Sequence, residues 1–112
     1  MSYDLILQVQ QKISELNSSI SRLKTSGTNF AEAEREYRII LRTKMLELKE
    51  EKMPVGMMDK VVYGIPEVAE ARFKRDIAQV VYDTNKDHIN SVKLQLKILN
   101  DQIAREWSGG SE

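Results

Sequence analysis

The 112-residue sequence predicts an all-α fold, either a long antiparallel helical hairpin or a three-helix coiled-coil bundle, with a short helical connector. Three observations carry this. Five glycines and two prolines against 30% charged residues is the composition of long helices rather than of sheets with frequent turns. The breakers are also clustered: apart from Gly27 they fall between Pro54 and Pro66 or in the run Ser108-Gly109-Gly110-Ser111. Finally, apolar residues step by threes and fours through both of the blocks that remain.

The first block is the most regular. Ile6, Val9, Ile13, Leu16, Ile20 and Leu23 alternate steps of three and four, an a/d seam that calls for a partner helix. Ser2 or Asp4 can cap its start by accepting a bond from a first-turn amide. At Gly27 two readings stand open. Glycine suits a left-handed helix end, with Thr28 or Asn29 capping a new helix, yet the heptad phase carries on through Phe30, Tyr37, Leu41 and Leu48. From Phe30 to about Lys52 the charges follow the helix dipole. Glu32, Glu34 and Glu36 come early, Lys49 and Lys52 late, and Glu34 to Arg38 is a favourable i,i+4 pair.

Residues 53–66 read as a structured connector. Pro54, Gly56, Gly64 and Pro66 frame Met57, Met58, Val61, Val62 and Tyr63, which predicts one short helix over about 57–63. Pro66 fits the first position of the last helix, where its missing N–H is not needed, and that helix is expected to run to about Trp107. Phe73, Ile77 and Val80 or Val81 are assigned to the seam in its first half, and Ile89, Val92, Leu96, Leu99 and Ile103 in its second. The polar run 83–88 between them then reads as a stutter. At 1.5 Å per residue the last helix is about 60 Å long and the earlier helices end to end match it, hence the hairpin. Two helices bury little of their faces, so a homodimer or higher homo-oligomer is expected. Residues 1–107 form a single helical domain on this reading, and 108–112 a flexible tail.

Composition also narrows function. Seventeen basic and seventeen acidic side chains balance, so no net charge draws the chain to nucleic acid, and no stretch reaches the roughly 18 apolar residues of a membrane span. The polar opening has no basic n-region, which points to the cytoplasm. With no cysteine and one histidine, no cofactor or metal is expected. His88 beside Asp87 invites a proton-shuttle reading, but no nucleophile motif accompanies it. Glu47, Glu50 and Glu51 lack the glycine-turned loop of a cation site, and no phosphate-binding glycine motif is present.

Two constellations are left. Arg72, Lys74 and Arg75, with Arg35, Arg38 and Arg42 across the hairpin, can contact phosphate while Tyr37, Tyr63 and Tyr82 stack on bases. Nearby Glu32, Glu34, Glu36, Glu70 and Asp76 favour ion pairing among the helices instead. The second is the methionine-rich connector, where Met57, Met58 and Tyr63 can receive a partner protein or plug the end of the bundle. Trp107 is either a helix anchor or an interface residue.

The runs Glu34-Arg35-Glu36-Tyr37-Arg38 and Lys52-Met53-Pro54-Val55, Gly64, and Val68-Ala69-Glu70 leading into Arg72-Phe73-Lys74-Arg75-Asp76 carry a further signal. Over about residues 30–107 the chain resembles small helical proteins encoded by phages and prophages of Gram-positive bacteria. That group has no assigned reaction. The resemblance implies a small early phage product in the host cytoplasm, acting near DNA metabolism or host-defence evasion. The expectation is a non-enzymatic adaptor or inhibitor that sterically engages a host or phage protein, with Met57, Met58, Tyr63, Arg72 and Arg75 at the interface. The alternative is a binder of single-stranded nucleic acid or a small nucleotide, with Arg38, Arg42 and Lys74 on phosphate.

Overall fold

The structure, a computed structural model, describes residues 2–110, without the side chain of Ser2. Three helices follow in order: α1 (Ser2–Glu50), α2 (Val55–Val62) and α3 (Pro66–Gly110). The chain is an all-α helical hairpin of α1 and α3 joined through α2. Gly27 does not break α1, which settles the open choice against a third long helix. A Cβ at Gly27 would come within 3.1 Å of the Tyr82 ring, so this helical glycine makes room for an aromatic neighbour rather than for a turn. Tyr82 in turn lies with its ring centroid 5.9 Å from that of Phe30.

The turn after α1 is built without glycine. The Met53 amide donates to the Leu48 carbonyl at 3.1 Å and the Lys52 amide to the Lys49 carbonyl at 3.0 Å, the paired bonds of a Schellman motif. Lys52 holds the left-handed position at φ 64°, and Met53 packs against the core cluster that contains Leu48. A side chain in that conformation costs about 1–2 kcal/mol. Lys52→Gly is therefore expected to raise stability by about 0.5–1 kcal/mol, net of glycine's greater unfolded-state freedom, as a higher urea midpoint at unchanged slope.

The connector helix begins two residues earlier than the sequence spacing suggests and ends at Val62. The reason is Pro54, whose carbonyl accepts from the amides of Met57 and Met58 at 2.9 and 3.1 Å, so Val55 and Gly56 are already helical. Ile65 accepts from Ala69 at 2.9 Å, which places Pro66 at the first position of α3 as its ring requires. That helix continues three residues past Trp107, to Gly110. Of the expected tail, Ser111 and Glu112 lie outside the described residues, as does the capping role considered for Ser2.

Contacts divide the chain into two units, residues 26–82 and residues 2–25 with 83–110. The first has a buried cluster of Tyr37, Leu48, Met58, Val62, Val68 and Ala71, edged by Ile40, Leu41, Met45, Met53 and Ile65. In the second, Ser19, Ile89, Val92 and Leu99 are buried.

Burial corrects the seam assignments. On α3 the covered positions are Val68, Ala71, Arg75, Ala78, Tyr82, Asn85, Ile89, Val92, Leu96, Leu99 and Ile103, an unbroken alternation of threes and fours. Phe73, Ile77, Val80 and Val81 belong to a different face and are exposed. The stutter expected at 83–88 is absent, because it arose from joining two faces as though they were one. On α1, Val9, Leu16 and Leu23 are in the seam, but Ile6, Ile13 and Ile20 are exposed and Lys12, Ser19 and Ser26 take the alternate positions.

Candidate functional site

The arginine and tyrosine constellation assembles in the unit formed by residues 26–82, around one carboxylate. Glu34 accepts from Arg38 Nε at 2.7 Å and from Arg75 Nη1 at 3.2 Å, so it joins α1 to α3. Arg75 also donates from Nε to Asp76 Oδ1 at 2.9 Å, and its guanidinium lies 4.7 Å from the centroid of the Tyr37 ring. This arginine occupies a seam position with its side chain largely covered, and its charge is met on three sides: two carboxylates and an aromatic face. Arg72 sits 5.5 Å over the exposed ring of Tyr63. The six basic residues considered together in the sequence are therefore dispersed. Arg38 and Arg75 converge on Glu34, Arg72 turns to the connector, and Lys74 borders a groove between residues of α1 and α3.

Hydrogen bonding from Arg38, reinforced by Arg75 against some opposing burial, holds the Glu34 carboxyl below its ordinary value of 4.5. Burial works against the charge of Arg75, but its bonds to Glu34 and Asp76 outweigh this and raise its pKa above the ordinary value. Because the folded-state pKa of Glu34 is depressed, the stabilisation is present above the unfolded value and is lost as the pH falls through the folded one. Glu34→Gln is expected to cost about 0.5–1 kcal/mol at pH 7, the scale of a partly exposed ion pair. The gap between the urea midpoints of wild type and variant should be narrower at pH 3 than at pH 7, since a protonated Glu34 resembles the amide. A gap of equal size at both pH values would show that charge has no part in it.

Arg35, Arg38 and Arg42 share one face of α1 with Ile39, together with Ala31 and Glu34 around an open depression. The methionines of the connector separate. Met58 is buried in the core cluster, while Met57 is exposed. Trp107 is exposed.

In the other unit His88 Nε2 lies 3.3 Å from Glu15 Oε1, and Lys12 Nζ donates to Glu15 Oε2 at 3.0 Å. The Lys12 bond is the main reason the Glu15 carboxyl falls below its ordinary value, with burial opposing and His88 and Arg22 adding to it. Buried Ser19 donates to the Glu15 carbonyl at 2.8 Å and accepts from Arg22 Nη2 at 3.0 Å, so its hydroxyl is fully used in the seam.

The apolar residues assigned to the seam in the first half of α3 lie in solvent instead. Phe73, Ile77, Val80 and Val81 are 60, 50, 60 and 47% exposed on α3. A groove of about 250 Å³ runs beside them, lined by Ser26 and Asn29 of α1 and by Phe73, Ile77, Ala78 and Val81 of α3. The signal was present as a second series of threes and fours beside the seam, whose own members here are alanine, arginine and tyrosine. No helix of the described residues is long and apolar enough to cross a membrane. Fold and surfaces together define a helical hairpin with an apolar face left over from its own packing. Compared with models of known protein families, with curated proteins and with solved structures, the chain matches none.

Proposed function

We propose that this chain is a non-enzymatic helical interaction protein that self-associates and engages a protein partner by covering part of its surface. One observation carries the reading: Phe73, Ile77, Val80 and Val81 form a contiguous apolar stripe in solvent although the seam beneath them is already filled. Soluble chains rarely leave such a patch bare unless something docks there. The outward Met57 and the Tyr63–Arg72 pair provide a second, adaptable contact at the connector. The mechanism is steric, an adaptor or inhibitor of the kind that phages encode, acting in the cytoplasm of the host.

A second reading, binding of single-stranded nucleic acid, is favoured by the shared face of Arg35, Arg38 and Arg42. Internal pairing of Arg38 and Arg75 with Glu34 supports the protein-partner reading over it. Affinity capture of the tagged chain from its host, together with titration against single-stranded DNA at two salt concentrations, separates the two. The expected result is a stoichiometric protein partner retained at high salt and no DNA binding. DNA binding that weakens steeply as salt rises, without a protein partner, would replace the proposal with its alternative.

A further inference from the structure

The outward face of α1, in the unit formed by residues 26–82, carries a second heptad pattern, and it is one of charge. Arg35, Arg42 and Lys49 recur every seven residues, with Ile39 and Leu46 four residues after the first two. All five are exposed, on the side of the helix away from the covered positions Tyr37, Leu41 and Leu48. Arg38 borders the same stripe. In a chain of zero net charge this face is one-sided. Arg42 follows Arg38 by one turn, and its other neighbours at three and four residues, Ile39, Met45 and Leu46, bring no carboxylate. Like charges at that spacing destabilise a helix. Glu34 is already shared by Arg38 and Arg75, and among the described residues Arg35, Arg42 and Lys49 have no carboxylate partner. The row is repulsive within the chain, and an anionic surface outside it is what offsets that repulsion.

Spacing selects among such surfaces. Seven residues of helix rise about 10.5 Å, the repeat that a partner helix also presents. Acidic residues at every seventh position of that helix would meet each cation, while apolar ones between them would cover Ile39 and Leu46. A nucleic acid would leave those two side chains in water, and no aromatic residue stands on this stripe to stack on a base. One apolar residue per heptad is too narrow a face to sink into lipid. The same face of a second copy would set cation against cation in either orientation.

We propose that α1 docks an acidic amphipathic helix of a partner protein along Arg35, Ile39, Arg42, Leu46 and Lys49, with its carboxylates against the three cations. The inference rests on the protein-partner reading and uses a face other than the apolar stripe on α3.

The probe is a fluorescent helical peptide of about three heptads, with glutamate and leucine alternating at steps of four and three along one face. The wild-type chain is expected to bind it, about tenfold more weakly when salt rises from about 50 to about 300 mM, and not to bind the same peptide with lysine in place of glutamate. Arg42→Glu removes the like-charge contact with Arg38 and should leave circular dichroism unchanged. It is expected to weaken binding at least about tenfold, and a peptide whose central glutamate is changed to lysine should regain the loss. Ile39→Ser combined with Leu46→Ser should also weaken the peptide, which a row directed at phosphate alone would not show. No binding of the acidic peptide, or tighter binding of oligothymidylate or of anionic phospholipid vesicles, overturns the proposal. A host protein captured equally by wild type and Arg42→Glu overturns this face and leaves the functional reading standing. Peptide binding that survives when no host protein is captured supports the face and removes the functional reading.

Discussion

Replacing Tyr37 with alanine is expected to remove about 3–5 kcal/mol of folding stability, the range for deleting a large buried ring. Tyr37 belongs to the buried cluster with Leu48, Met58, Val62, Val68 and Ala71, and its ring faces the guanidinium of Arg75. Two losses therefore coincide. The cavity forfeits packing within the cluster, and Arg75 loses the face that covers its charge while still being held beside Glu34 and Asp76. Tyr37→Leu separates the two, since leucine returns much of the apolar contact but offers no π-face. It should fall between wild type and alanine, with the cation–π share amounting to about 0.5–2 kcal/mol. Urea unfolding of the three proteins measures this. An alanine variant within about 1 kcal/mol of wild type would mean that the cluster does not depend on this ring.

The position of Tyr37 was readable from the heptad phase that runs on from Leu23, and so was the continuity of α1 through Gly27 once that phase was preferred to glycine's usual role at helix ends. Pro66 at the start of α3 and the Glu34–Arg38 pair were equally plain, because each depends only on local covalent geometry or on spacing within one helix. What could not be read was the choice between neighbouring registers. On α3 the series 73, 77, 80 looks more like a core than 71, 75, 78, because Phe, Ile and Val are the residues of interiors and Ala, Arg and Ala are not. Tertiary packing reverses the choice: alanines fill the seam, and Arg75 enters it only because Glu34, Asp76 and Tyr37 meet its charge there. The same holds for Ser19, whose hydroxyl is satisfied by the backbone of its own helix and by Arg22, so burying it leaves no bond unmade. Lys52 was hidden for a different reason. Glycine is the expected residue at a left-handed helix end, and here a lysine adopts that conformation because the two bonds of the motif and the packing of Met53 hold it.

A charge placed at Val62 should destabilise the unit formed by residues 26–82 severely. Val62 is the last residue of α2 and is 0% exposed, surrounded in its cluster by residues with no cationic group. An aspartate there would be both desolvated and unpaired, at a cost of several kcal/mol at pH 7 that a small domain can scarcely absorb. Hydrogen exchange should show lost protection across α2 and the neighbouring parts of α1 and α3. The pH dependence distinguishes desolvation from mere misfit. Burial raises the folded-state pKa of the introduced carboxyl above its unfolded value of about 3.9, so the charge penalty is fully present above the raised value, shrinks as the pH falls toward the unfolded one and is gone below it. The gap between wild type and Val62→Asp should therefore narrow from pH 7 to pH 3, while Val62→Thr, nearly isosteric and uncharged, should keep a constant penalty of about 1–3 kcal/mol. If the aspartate variant matched the threonine one at both pH values, Val62 would have to be in contact with water, and the connector helix would not be docked against α1 and α3 as its burial requires.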